Sequence, residues 1–223
     1  LNGANAFTAN SSGATTFGGS IGGTAALSSL TTDAPGTSSS VGVITSGATS
    51  FNDNTTLSGT YTSTGFTAGG TSTLAGTTTI NAGAGPISFT GTLNGANAFT
   101  ANSSGATTFG AAVGTTTKLA SVTTDAGGST AINGEAIIAS GGITLNDAVT
   151  GNNVSLNAGA GTIIATNASN DFTGTLSLNN SGVNNVSITD ANSLILGASN
   201  VGNGTFTVIA KSTSVEGAVR HCK

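Results

Sequence analysis

The eight acids, Asp33, Asp53, Asp125, Asp147, Asp171, Asp190, Glu135 and Glu216, are the residues best suited to proton transfer or metal binding. Cleavage of an acidic polysaccharide would need such carboxylates gathered with Lys or Arg, because proton abstraction and charge stabilisation act at one place. Here they are scattered. Asp33 and Asp125 lie 92 residues apart in matching LTTDA and VTTDA contexts, and Asp53 and Asp147 lie 94 apart in matching FND and LND contexts. Acids that recur with a repeat read as turn or capping residues, and no GGxGxDxUx calcium repeat is present. The single histidine, His221, sits beside Arg220, Cys222 and Lys223 in a terminal basic tail, where a metal contact or an intermolecular thiol link is the functional alternative to a frayed end. Gly22-Gly23 and Gly69-Gly70 do not open helices, so they read as corners and not as phosphate loops. The expectation is a non-enzymatic chain with no catalytic, cofactor-binding or metal site.

Composition narrows the partners. Only 5% of the 223 residues are charged, against roughly a quarter in ordinary soluble proteins. Thr, Ser, Asn and Gly take their place. A mean hydropathy of +0.21 with regularly placed Val, Ile, Leu and Phe argues for a folded chain and against disorder. The net charge of −4, with no basic residue before Lys118, argues against nucleic acid. No apolar run approaches a membrane-spanning helix, and one Tyr with no Trp is a poor basis for the aromatic girdles of a membrane barrel. Cys222 is the only cysteine, so no internal disulfide staples the fold.

The elements that must carry these residues are repeats. LNGANAFTANSSGATTFG at 1–18 recurs unchanged at 93–110. Beyond it, Ile21/Val113, Leu27/Leu119 and Leu30/Val122 stay apolar while polar positions drift. The match of Ser46–Asp53 with Ser140–Asp147 is offset by 94, which predicts a two-residue insertion absorbed at a corner near Gly134–Ala136. Segments that bury one face against similar neighbours vary in this way. The duplication runs approximately over 1–92 and 93–185, within a repeat domain spanning 1–210, and 211–223 diverges from it.

Helix signals are nearly absent and strand signals abound. Ile143–Leu145, Val154–Leu156, Leu176–Leu178, Val186–Ile188, Leu194–Leu196 and Phe206–Val208 each alternate apolar side chains, with turn formers at Asn157–Gly161, Asn179–Gly182 and Gly197–Asn200 between them. The long-range similarity, the tolerated insertion, the chance of Asn ladders and the scarcity of edge-guarding charges favour a parallel β-helix over an antiparallel sandwich. The predicted fold is all-β: a parallel β-helix, or β-solenoid, forming a single elongated rod. Coils of about 20 to 30 residues would place three to four coils in each 92-residue block. Phe7/Phe99 and Phe17/Phe109 are repeat pairs expected to stack in the core, not to bind sugars. Thr60-Tyr-Thr62, Thr71-Ser-Thr73 and Thr77-Thr-Thr79 could order water against ice, but that needs a triplet in register in every coil and 143–200 offers only Thr173-Gly-Thr175.

The phrases LTTDA at 30–34, SFND at 50–53, ITLNDAVTG at 143–151, NDFTGTLSL at 170–178 and VSITDANSLILG at 186–197 resemble the repeats of filamentous-haemagglutinin-like, β-strand-repeat bacterial surface proteins. The resemblance implies a right-handed parallel β-helix, export to the bacterial cell surface and a role as shaft, fibre or adhesin. A self-assembling extracellular filament subunit is the alternative. The partners expected are further copies, by end-to-end or lateral self-association, and cell-surface glycans or proteins.

Overall fold

The computed structural model describes residues 1–221, so Cys222 lies outside the described residues. Among them there is no helix, and every strand pairing is parallel. The strands join into networks of 14 and 11 members. Following the pairing residue by residue resolves three ladders, one on each face of the coil.

The first ladder climbs through Phe7, Leu30, Thr49, Phe66, Ile87, Thr107, Thr130 and Val149. The second climbs through Thr15, Ser38, Thr55, Ser72, Leu93, Val113, Ile137, Leu156 and Leu178, and continues through the adjacent Asn179 to Asn200 and Arg220. The third climbs through Ile21, Val43, Tyr61, Ile80, Ala101, Thr124, Leu145, Ala165, Ile188 and Val208. The second ladder passes through about eleven coils, so the chain is a β-solenoid roughly 50 Å long at ~4.8 Å per coil.

Coils are shorter than the sequence suggested. They run from 17 residues, Ser38 to Thr55, to 24, Val113 to Ile137. The reason is that several corners are turned inside a continuous strand: Asn54–Thr62 and Ser72–Gly83 pass from the second face to the third, and Ala148–Asn157 and Asp171–Asn179 from the first to the second. A β-bulge marks such a bend where the register shifts between Leu57 and Gly59 and between Asn152 and Val154. Gly59 (φ 79°) and Asn153 (φ 51°) supply the left-handed backbone these corners need.

Short coils change the meaning of the duplication. A 92-residue step covers four whole coils and two further faces, so the identical strands land on different faces. Ala6–Ala9 lies in the first ladder and its copy, within Ala98–Ser103, in the third. Local pairings are nonetheless reproduced: Ala6 with Ser29 and Ala98 with Ser121, Ala14 with Thr37 and Ala106 with Ser129. The insertion falls at the expected corner. Ile21 pairs with Val43, but its copy Val113 pairs with Ile137, and the extra residues around Gly134 include Glu135 at φ 64°.

The interior is a single apolar column with aromatic rings in successive coils. Phe51, Tyr61, Phe66, Phe89, Phe99 and Phe109 are fully buried, with neighbouring centroids 5.4 to 6.3 Å apart. Edge-to-face and offset contacts of this kind add to area burial. The six predicted strand units all lie within strands. Gly197–Asn200, read as a turn, is corrected in part, because Ser199–Val201 is a strand paired with Val219–His221. Residues Ser212–Val215 and Val219–His221 add pairings to the last coil, although their sequence departs from the repeat.

Candidate functional site

The corners gather most of the acids and amides. Asp53 is buried and accepts hydrogen bonds from Thr32 Oγ1 (2.9 Å) and Ser38 Oγ (2.6 Å) of the preceding coil. Asp147, also buried, accepts from Thr124 Oγ1 (2.8 Å) and Thr130 Oγ1 (2.7 Å). These are repeat equivalents, hydroxyls included. Each carboxylate clips the two strands that flank a corner one coil below. Burial pushes the Asp147 carboxyl above its ordinary value; the Thr130 and Thr124 hydroxyls oppose this, and the Asp125 carboxylate adds to it.

The other acids do related work on the backbone. Asp33 Oδ1 accepts from Ser11 N (2.8 Å), and its equivalent Asp125 from Ser103 N (3.1 Å). Asp190 accepts from Phe172 N (2.8 Å) and Asn192 N (2.7 Å), and Asp171 Oδ1 accepts from Asn192 Nδ2 at 3.2 Å. Glu135 and Glu216 are exposed. The sequence placed most of these acids at corners, which holds for Asp33, Asp53, Asp125, Asp147 and Asp190 but not for Asp171, the first residue of the strand Asp171–Asn179, and it missed their partners. The missing signal was that Thr32 and Ser38 recur as Thr124 and Thr130 along with the acid they bind.

Asparagines form one amide-to-amide rung, Asn102 Nδ2 to Asn81 Oδ1 at 2.8 Å. More often they bond to the backbone of the coil below: Asn52 to Thr32 O (2.7 Å), Asn146 to Thr124 O (2.7 Å) and Asn97 to Leu74 O (2.9 Å). Asn170, fully buried, uses both ends, accepting from Val149 N and donating to Ala165 O and Thr189 O. An amide that both donates and accepts can satisfy a corner where the ladder is interrupted.

Among the described residues, no three His, Cys, Asp and Glu side chains come together in a way that could hold a metal ion. His221 packs edge-on to Phe206 (6.3 Å), with Nε2 2.8 Å from Gly204 O. Shallow depressions of the surface include one of about 310 Å³ beside Asn179, Asn200 and Arg220 and one of about 320 Å³ among Thr37, Asn54, Thr56, Thr71 and Thr73. Tyr61, whose hydroxyl bonds Ser40 O at 3.0 Å, is held in its neutral form more strongly than usual by burial. No helix among the described residues is long and apolar enough to cross a membrane. What the geometry provides is a stiff column with a hydroxyl- and amide-rich, weakly charged exterior. No protein-family model, curated protein or solved structure matches the chain.

Proposed function

We propose that this chain is a non-enzymatic shaft segment of a bacterial surface adhesin or fibre, exported to the cell surface. The observation that carries the reading is the second ladder, which passes through about eleven coils of a column whose corners are clipped by Asp and Asn side chains. Such a column resists bending because each coil is bonded to the next along three faces, and its stability is a sum of neighbour interactions that lengthening does not weaken. Duplicating 92 residues added length and surface, with no local site copied beyond corner clips. A repetitive exterior suits many weak contacts, with other copies or with cell-surface glycans and proteins, whose combined avidity exceeds any one of them.

Antibodies raised against residues 93–185 and applied to intact producing cells test the assignment. Labelling of the unpermeabilised surface, with the label on projecting fibres, is the expected result. Labelling only after permeabilisation would overturn it.

A further inference from the structure

We propose that Asn133 and Asn203 are sites of spontaneous deamidation, which adds carboxylates to the exterior of the folded rod. Asparagine is followed by glycine at Asn2, Asn94, Asn133 and Asn203. In such a pair the glycine, having no Cβ, leaves its amide nitrogen open to reach the asparagine side chain. The intrinsic chemistry of the pairs is the same. What separates them is whether the fold has already committed the two reacting groups to other bonds.

The duplicated pairs are tied at both groups. Asn94 is buried; its Oδ1 accepts from Thr116 N (3.0 Å), its Nδ2 donates to Thr92 Oγ1 (3.1 Å), and Gly95 N donates to Thr117 O (3.1 Å). In the first copy Asn2 is exposed, yet Oδ1 accepts from Thr24 N (2.9 Å) and Gly3 N donates to Ala25 O (3.1 Å). Asn133 and Asn203 differ. Both side chains are exposed and, among the described residues, neither is hydrogen-bonded to protein, and neither Gly134 N nor Gly204 N is bonded to a backbone oxygen. Other groups hold the two bends in place: Asn133 N on Phe109 O (2.9 Å), Ala136 N on Gly134 O (2.8 Å) and Asn203 N on Gly182 O (2.6 Å). Ring closure at these sites therefore breaks no existing hydrogen bond of either reacting group.

The reaction needs only water. Gly134 N attacks Asn133 Cγ, the new C–N bond closes a cyclic imide, and the side-chain nitrogen leaves as ammonia; the proton lost from Gly134 N is matched by the one the leaving nitrogen gains. Water then opens the imide at either carbonyl, which restores the main chain as aspartate or routes it through the side-chain carbon as isoaspartate. Nothing is oxidised or reduced. Each event adds one negative charge, so reaction at both sites takes the chain from −4 to −6. On so sparsely charged an exterior, that changes the field met by any weak contact. At Asn133 the new carboxylate stands two positions from the exposed Glu135. The extra main-chain carbon of isoaspartate can be absorbed there, because this corner already holds an insertion: Val113 pairs with Ile137, where Ile21 pairs with Val43.

The test is peptide mapping by mass spectrometry of the whole chain kept folded at mildly alkaline pH, with isoaspartyl methyltransferase labelling as an independent readout. Asn133 and Asn203 are expected to convert roughly thirtyfold faster than Asn94, the factor implied by opening two hydrogen bonds of ordinary net strength. In urea, where the fold no longer ties the duplicated pairs, all of the Asn-Gly sites should convert at similar rates. Asn133→Gln, a change at an exposed side chain, should abolish conversion at that position and leave Asn203 unchanged. Rates at Asn133 and Asn203 no higher than at Asn94 in the folded chain, or the same disparity persisting in urea, would overturn the proposal.

Discussion

At the scale of single residues, the buried carboxylates bind the coils where the backbone ladder breaks. Removing Asp147 leaves the Thr124 and Thr130 hydroxyls buried and unpaired, so Asp147→Ala should lower unfolding stability by about 2 kcal/mol in urea titrations. Asp147 also has a pH signature. Because its folded-state pKa is raised, the folded chain holds this proton more tightly than the unfolded chain does. Its contribution is therefore full below the ordinary value of 3.8 and is lost as pH rises through the folded value. As pH rises above 3.8, wild-type stability should fall more steeply than that of Asp147→Asn, measured by denaturant midpoints; parallel profiles would contradict a raised, burial-driven pKa. Asp33, Asp125, Asp53 and Asp147 were legible in the sequence as corner residues because they recur with the repeat. Their hydroxyl partners were not, since Ser38 and Thr130 differ and lie in the preceding coil, 15 and 17 residues from their acids.

At the scale of strands and coils, identical sequence in two settings separates local propensity from packing. Phe99 and Phe109 are fully buried between coils, whereas Phe7 and Phe17, in the same eighteen-residue context, are half-buried and packed against each other at 6.1 Å. Phe99→Ala should cost about 3 to 5 kcal/mol, the range for deleting a buried ring, and Phe7→Ala clearly less. Equal losses in thermal or urea unfolding would mean that local sequence, and not the covering coil, sets the energy. Strand positions were legible because a two-residue alternation of Val, Ile and Leu survives between turn formers. Coil length was not. It depends on whether a corner is an interruption or a bulge, and Gly59 and Asn153 look no different in sequence from other loop residues.

At the scale of the whole molecule, the three-face cross-section explains how an exact copy can be displaced by a non-integral number of coils and still fold. Each face asks for much the same thing: an inward residue that is apolar or a small hydroxyl such as Ser38, Thr55 or Thr130, an outward small polar one and a corner that can bond downward. Copy and original meet that demand on different faces, with local pairings intact. The solenoid was legible from repetition and composition; the third ladder was not, because it arises only when coils are stacked in register. In such a column, length is proportional to coil count. Small-angle scattering of the whole chain and of residues 93–223 measures this directly: at ~4.8 Å per coil, the account predicts maximum core lengths of about 50 Å and about 30 Å with the same cross-section. Two compact particles that shrink equally in every dimension would contradict it.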